Sequence, residues 1–317
     1  MNEVILVNHK VVNCGVYQFG LRFKNILSKC KDINYIYIEV ENIKEFNDNV
    51  SKTKNLIAII YNYCTLTLPW LNKYVLVPNV KNIGLLHPGS PNFFNIGCNI
   101  DPDEKEMPPI MYSIPRPIYE NIDEIIKECE QTETTELFID KYTDTDLPIF
   151  GSFGLAAKYK GFAKLINIIN SQYDNAVIKL HITRAHFYHE NSVNEEVQRC
   201  LSIPRKKGII LMIHTNFITN ECLLKFLNKN TMNIFLYDKM GGSTNCISSV
   251  IDIALGVKKP IGISDSDMFR NIYNDSICIY KTPIKDILLN SVNYCDYYRE
   301  KYSHNNVINK FKSIILN

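Results

Sequence analysis

The chain has 317 residues, 46% hydrophobic and 21% charged, and its 35 Lys and Arg against 33 Asp and Glu leave a net charge of +2. That is an ordinary soluble globular composition, and at about 100–200 residues per domain it suggests two domains. Near-neutrality excludes a strongly basic nucleic-acid coat and a polyacidic tail, and no apolar run approaches the ~20 residues of a membrane span.

The opening MNEVILVNHK has no basic leader and reads as a strand, not a signal peptide. The ten cysteines (Cys14, Cys30, Cys64, Cys98, Cys129, Cys200, Cys222, Cys246, Cys278 and Cys295) are scattered without a CxxC pair. A core of this size needs no cross-link, so reduced thiols in a cytoplasmic setting are expected. The abundance of Asn, Lys, Ile and Tyr fits A/T-rich coding, as in a low-GC bacterium or a virus.

Short apolar runs alternate with amphipathic stretches. Val4–Val7, Tyr35–Val40, Asn55–Tyr61 and Ile83–Leu86 read as strands, and Val16, Phe19, Phe23 and Leu27 keep the 3–4 residue spacing of a helix. This β-α-β order predicts a parallel, doubly wound sheet. From Cys98 to Asp146, prolines and charges interrupt the rhythm and predict a connector with one helix over Tyr119–Glu130. Strands are then predicted at Pro148–Ser152, Ala176–His181, Gly208–Ile213, Met232–Tyr237, Pro260–Ile263 and Ile277–Tyr280. Helices are predicted at Gly161–Ile169, Val193–Leu201, Asn220–Leu227 (with Thr219 as N-cap), Ile247–Leu255, Ile284–Glu300 and Asn305–Leu316. The implied layout is an α/β chain with a Rossmann-like domain over 1–130, a linker over 131–147, a second such domain over 148–300 and a terminal helix over 301–317.

In open α/β sheets, ligands bind beyond the carboxyl ends of strands. Three loops qualify. In HKVVNCGVYQFG, Gly15 stands before a helix and offers close backbone approach, although the spacing to Gly20 is not GxGxxG. In IFGSFGLAAKYKGF, Gly151, Ser152 and Gly154 are followed by Lys158 and Lys160, a backbone-plus-ammonium arrangement suited to a diphosphate. In YDKMGGSTNCISSVIDIAL, Gly241, Gly242 and Ser243, then Ser248, Ser249 and Asp252, precede or open a helix and suit phosphate and sugar hydroxyls. His87 ends a predicted strand and can hold a sugar or acceptor hydroxyl or act as a base. His9 has the same two readings, Arg116 sits where it can brace the connector, and Arg270 is a further cation. His181, His186 and His189 lack zinc spacing, so no metal site is expected.

The succession Lys160-Gly161, strand, Gly241–Ala254 and Pro260-Ile261 resembles the donor half of GT-B nucleotide-sugar glycosyltransferases of the family 1 and family 4 type. The resemblance implies two Rossmann-like domains facing each other across a cleft, and a retaining, metal-independent transfer with no cofactor beyond a UDP- or GDP-sugar. In that family the Lys-Gly pair holds the pyrophosphate, which Lys160 matches. The glycine loop and the acid of the next helix hold sugar and ribose, matched by Gly241, Gly242, Ser248, Ser249 and Asp252. CGVYQFG is similar to the family's first glycine loop. Two departures stand out: Asp252 to Pro260 is one residue longer than the family pattern, and Thr244 occupies the position of the family's first glutamate. Thr244 makes an inactive nucleotide- or sugar-binding protein one alternative reading, and a nucleotide-sugar epimerase, which shares the two-domain architecture, is the other. The acceptor is not specified by sequence; a glycan, or a modified nucleobase if the source is viral, is compatible.

Overall fold

The computed structural model describes every residue except 13, 131, 185–188 and 240–246, and every described side chain except that of Val292. The chain divides into two compact units, one of Met1–Ile118, Ser243–Ser249 and Lys301–Asn317, the other of Tyr119–Gly242 and Val250–Glu300. The first unit thus ends at Ile118, before the expected residue 130, and takes in the terminal helix that the sequence pattern sets apart.

The first unit runs β1 (Asn2–Asn8), α1 (Gly15–Leu27), β2 (Ile33–Glu39), α2 (Ile43–Val50), β3 (Leu56–Tyr63), β4 (Lys81–Leu86), β5 (Ile96–Asn99) and β6 (Met111–Ser113). These strands form one parallel sheet in the order β2-β1-β3-β4-β5-β6. Its two faces follow strand alternation. Val4, Leu6, Ala58 and Ile60 face Phe19, Phe23, Ile26 and Leu27 of α1, while Ile5, Val7, Ile59 and Tyr61 face Phe46 of α2. Each fully buried Val, Leu, Ile or Phe side chain among them contributes about 1.5–3 kcal/mol. β5 and β6 lie within or beside the predicted connector; their three or four residues are too short for a periodic signal.

The second unit continues with α3 (Ile122–Ile125), α4 (Glu133–Asp140), β7 (Ile149–Leu155), α5 (Phe162–Gln172), β8 (Asn175–Thr183), α6 (Ser192–Leu201) and β9 (Gly208–His214). It then runs α7 (Asn220–Asn228), β10 (Met232–Phe235), α8 (Val250–Gly256), β11 (Ile261–Ile263) and α9 (Ile284–Lys301). Its parallel sheet has the order β11-β10-β7-β8-β9. Thr219 caps α7 as expected, accepting from the Cys222 amide. The expected strand at Ile277–Tyr280 is instead the end of a 3-10 turn with a single bridge, Ile263 to Cys278. The linker segment carries α4, which packs on β9 through Phe138 and His214, ring centroids 5.1 Å apart.

The last helix, α10 (His304–Leu316), returns to the first unit. Phe311 meets Phe23 edge-on at 5.3 Å, and His304 bridges Lys29 Nζ (2.9 Å) and the Ile118 carbonyl (3.0 Å).

One expectation about the cysteines fails. Cys129 and Cys222, 93 residues apart, are joined with a Cα–Cα distance of 4.9 Å. Folding brings the segment after α3 onto the first turn of α7, a proximity that spacing in sequence does not encode. The other described cysteines are free thiols. Among the described residues no helix is long and apolar enough to cross a membrane.

Candidate active site

Each sheet has one place where consecutive connections leave in opposite directions, between β1 and β3 in the first and between β7 and β10 in the second. Such switch points open a crevice at the carboxyl ends of the strands. Polar side chains gather at both.

In the first unit the crevice is built on two asparagines. Asn8 ends β1 and Asn62 lies near the end of β3, both fully buried. Asn62 Nδ2 donates to Asn8 Oδ1 (2.9 Å) and to the Val16 carbonyl (2.6 Å). Asn8 Nδ2 donates to the Tyr17 carbonyl (3.1 Å) and to Tyr37 Oη (3.0 Å). Tyr37 and Tyr17 hydroxyls in turn donate to Glu39 Oε1, at 2.9 and 2.7 Å. His87, just past β4, has Nε2 at 2.7 Å from Asn62 Oδ1 and its ring edge-on to Phe19 at 5.1 Å. Burial, then the positive charge of Arg116, His9 and Arg22, pushes the His87 pKa down to about 3, so the imidazole is neutral. This disfavours the general-base reading of His87 and leaves hydroxyl recognition.

Of the other first-unit candidates, Gly15 is the first residue of α1, exposed, with open space where a Cβ would be. His9 is buried and accepts from the Val11 amide at 3.1 Å. Arg116 donates to the Ile100 carbonyl (2.8 Å) and lies over Phe19, the bracing role expected of it.

In the second unit, Lys160 follows β7 and Tyr237 follows β10, the two strands flanking the switch point. Gly161 is left-handed at φ 71°, and a Cβ there would sit 1.9 Å from the Leu236 carbonyl oxygen. Glycine is what allows the β7–α5 turn to lie against the end of β10. The turn is pinned by the Asp238 amide donating to the Tyr159 carbonyl at 2.8 Å.

Lys160, read from the sequence as the ammonium of a diphosphate site, is only 8% exposed, donates to Tyr237 Oη at 2.7 Å and lies 3.9 Å from the Tyr237 ring centroid. Burial lowers its pKa to about 7. Lys158 remains exposed.

The small residues predicted to form a loop after β7 lie inside the strand. Ser152 is 3% exposed, and Gly151 is small because Asn230 packs where its Cβ would be. Asp252, in the first turn of α8, is fully buried, offering no surface to a ribose as it stands. Ser248 and Ser249 precede that helix and group with the first unit, not with Lys160. Gly241, Gly242, Ser243 and Thr244 lie outside the described residues. Arg270 donates to the Asp267 carbonyl of its own turn at 3.0 Å. His181 contacts His214 (3.2 Å) and His189 faces Glu195 (3.7 Å), while His186 is outside the described residues. Among the described residues no three His, Cys, Asp or Glu side chains converge as a metal site. A surface cavity of about 650 Å³ near Gln172 and Lys285 lies at the end of α5 remote from Lys160.

Sequence reasoning missed Asn8, Asn62 and Tyr237. Their signal was a polar or hydroxylated residue closing or following an otherwise apolar strand.

No family model and no curated protein matches the sequence. Solved structures do. A glycosyltransferase from Rickettsia africae is 14% identical over 99% of this chain and 97% of its own, TM-score 0.60. Anabaena HepE, solved with UDP and glucose, is 10% identical with full coverage of both chains, TM-score 0.64. The N-terminal domain of Candida albicans trehalose-6-phosphate phosphatase is 12% identical over 100% of this chain and 97% of its own, TM-score 0.61. The fold is that of the GT-B glycosyltransferases. Two parallel sheets with interleaved helices, each with its own switch point, make up that GT-B architecture here.

Proposed function

We propose that the chain is a glycosyltransferase that moves a sugar from a nucleoside-diphosphate donor to a hydroxyl-bearing acceptor. The observation that carries this reading is the meeting of Lys160 and Tyr237 at the switch point of the second sheet. A donor diphosphate at that point needs a cation, and Lys160 supplies one when it leaves the Tyr237 hydroxyl, with the exposed Lys158 beside it. Neutralisation by lysines makes the transfer metal-independent in this reading. The developing charge at the anomeric centre is oxocarbenium-like, and the departing diphosphate is what the two ammonium groups stabilise. In the first unit, neutral His87 accepts a hydrogen bond from a sugar hydroxyl. HepE, which shares the fold, was solved with UDP and glucose, and this supports UDP-glucose as the first donor to test. A retaining outcome follows from the resemblance and is tested by the anomeric configuration of the product.

Titration calorimetry against UDP, GDP and ADP tests the donor site. Binding of none of the three, or binding unchanged in Lys160→Ala, removes the basis of the proposal. A second reading, binding without turnover, is favoured by Thr244 in place of the family's first acid. Donor binding with neither hydrolysis nor transfer across a panel of glycan and modified-nucleobase acceptors would establish it.

A further inference from the structure

His87 reaches the hydrogen-bond network of the first unit through a single atom, Nε2, and every other bond in that network has its direction fixed. A backbone carbonyl only accepts and a backbone amide only donates. The Tyr17 carbonyl therefore fixes which end of the Asn8 amide is NH2, and the His9 amide, donating to Asn8 Oδ1 at 3.0 Å, fixes the other end. The Val16 carbonyl does the same for Asn62 Nδ2, whose second proton goes to Asn8 Oδ1. Asn62 is left with Oδ1 toward His87, and an amide oxygen accepts.

The pair is closely fitted. A Cβ on Gly20 of α1 would lie 2.6 Å from Asn62 Nδ2 and 2.7 Å from Asn8 Nδ2, so only glycine lets the helix cover both amides. The relay ends at Glu39, which accepts hydrogen bonds from the Tyr37 and Tyr17 hydroxyls.

We infer that Asn62, held by Asn8, is a positioning residue that fixes His87 as the Nε2–H tautomer and so makes Nδ1 a hydrogen-bond acceptor for a sugar hydroxyl. The tautomer follows from the network alone; the ligand hydroxyl rests on the proposed glycosyltransferase function. The charged and titratable groups around the ring favour the neutral form. They are Arg22 on α1, Arg116 after β6 and His9 after β1, and none supplies a negative charge. A neutral imidazole with Nε2 committed to Asn62 has only a lone pair to offer, so the partner must bring a proton. Sugar hydroxyls do; a phosphate oxygen does not.

The test is nitrogen-15 NMR of the full chain labelled at histidine, with the His87 signals identified by their loss in His87→Gln. The expected spectrum has a pyrrole-type Nε2 and a pyridine-type Nδ1, unchanged from pH 8 to pH 5. The reverse pattern, or protonation with a midpoint above pH 5, overturns the inference. Asn62→Asp removes both amide donors and places a carboxylate on Nε2, so His87 is expected to become imidazolium at neutral pH. If His87 keeps its wild-type signals in Asn62→Asp, Asn62 does not position it. Adding UDP-glucose should move Nδ1 toward the hydrogen-bonded range while Nε2 stays pyrrole-type. An unmoved Nδ1 while calorimetry shows UDP-glucose bound overturns the hydroxyl contact and leaves the donor reading standing. Absence of UDP-glucose binding instead counts against the donor reading, and the tautomer is still decided by the first measurement.

Discussion

Lys160 and Tyr237, 77 residues apart, form one unit: the ammonium donates to the phenol at 2.7 Å and rests 3.9 Å from the centre of its ring. A diphosphate must take the ammonium from the phenol. Lys160→Ala should weaken UDP binding by about 1.5–3 kcal/mol, roughly 10- to 150-fold in Kd, the worth of a charge-assisted hydrogen bond. Tyr237→Phe removes the resting contact and should tighten UDP binding by up to about 1 kcal/mol. Calorimetry on both variants decides; weaker binding in Tyr237→Phe would show that the phenol serves the ligand.

The same burial predicts a pH dependence of stability. The Lys160 pKa falls from 10.5 to about 7 in the folded chain, so between these values the unfolded chain binds more protons. Stability contributed by this site therefore rises with pH, by up to about 1.4 kcal/mol per unit from pH 7 to pH 10.5, and the destabilisation is complete below pH 7. Lys160→Met should be more stable than wild type in urea melts at pH 6, with the gap narrowing toward pH 10. A constant gap would show that Lys160 titrates normally.

What was legible in the sequence follows from locality. Runs such as Val4–Val7 and the Phe19–Phe23 spacing encode their own burial, so four strands of the first sheet, the second sheet and most helices could be read directly, while the short β5 and β6 could not. The unit boundary could not. His304 and Phe311 belong to the first unit only because of partners (Ile118, Lys29 and Phe23) far away in sequence. The Lys160-Gly161 pair was visible, but the position of its ammonium depends on Tyr237. His87 was visible as a residue, whereas its tautomer depends on Asn8 and Asn62 from two other strands.

Acid should destabilise the fold through its buried histidines. Burial leads in lowering His87 and His181 from 6.5 to about 3. Between pH 6.5 and pH 3 the unfolded chain alone binds these protons, so stability falls as pH falls, by about 1.4 kcal/mol per unit for each histidine. Urea midpoints at pH 7, 5.5 and 4.5 should drop less steeply for His181→Gln than for wild type. Parallel pH profiles would mean that His181 is protonated in the folded chain.

The Cys129–Cys222 bond closes a loop of sequence separation 93. In the chain-entropy model such a closure stabilises by at most roughly 4–5 kcal/mol. Thiol titration of the unreduced, unfolded protein should find two thiols fewer than its ten cysteines, and dithiothreitol should lower the urea midpoint. A full count of ten would show that the pair is reduced.

Two glycines separate a structural requirement from a ligand requirement. Gly161 is held at φ 71° with the Leu236 carbonyl in the place of a Cβ, and the Asp238–Tyr159 backbone bond prevents the strand end from yielding. Gly161→Ala meets both the left-handed strain and the clash, so it should cost more than about 1 kcal/mol in urea unfolding. Gly15 opens α1, and a Cβ there would meet nothing within 4 Å, so Gly15→Ala should leave stability within about 0.5 kcal/mol of wild type. If the backbone at Gly15 lies close to a donor sugar, Gly15→Ala will weaken UDP-glucose binding at unchanged stability. Unchanged affinity would remove Gly15 from the donor site.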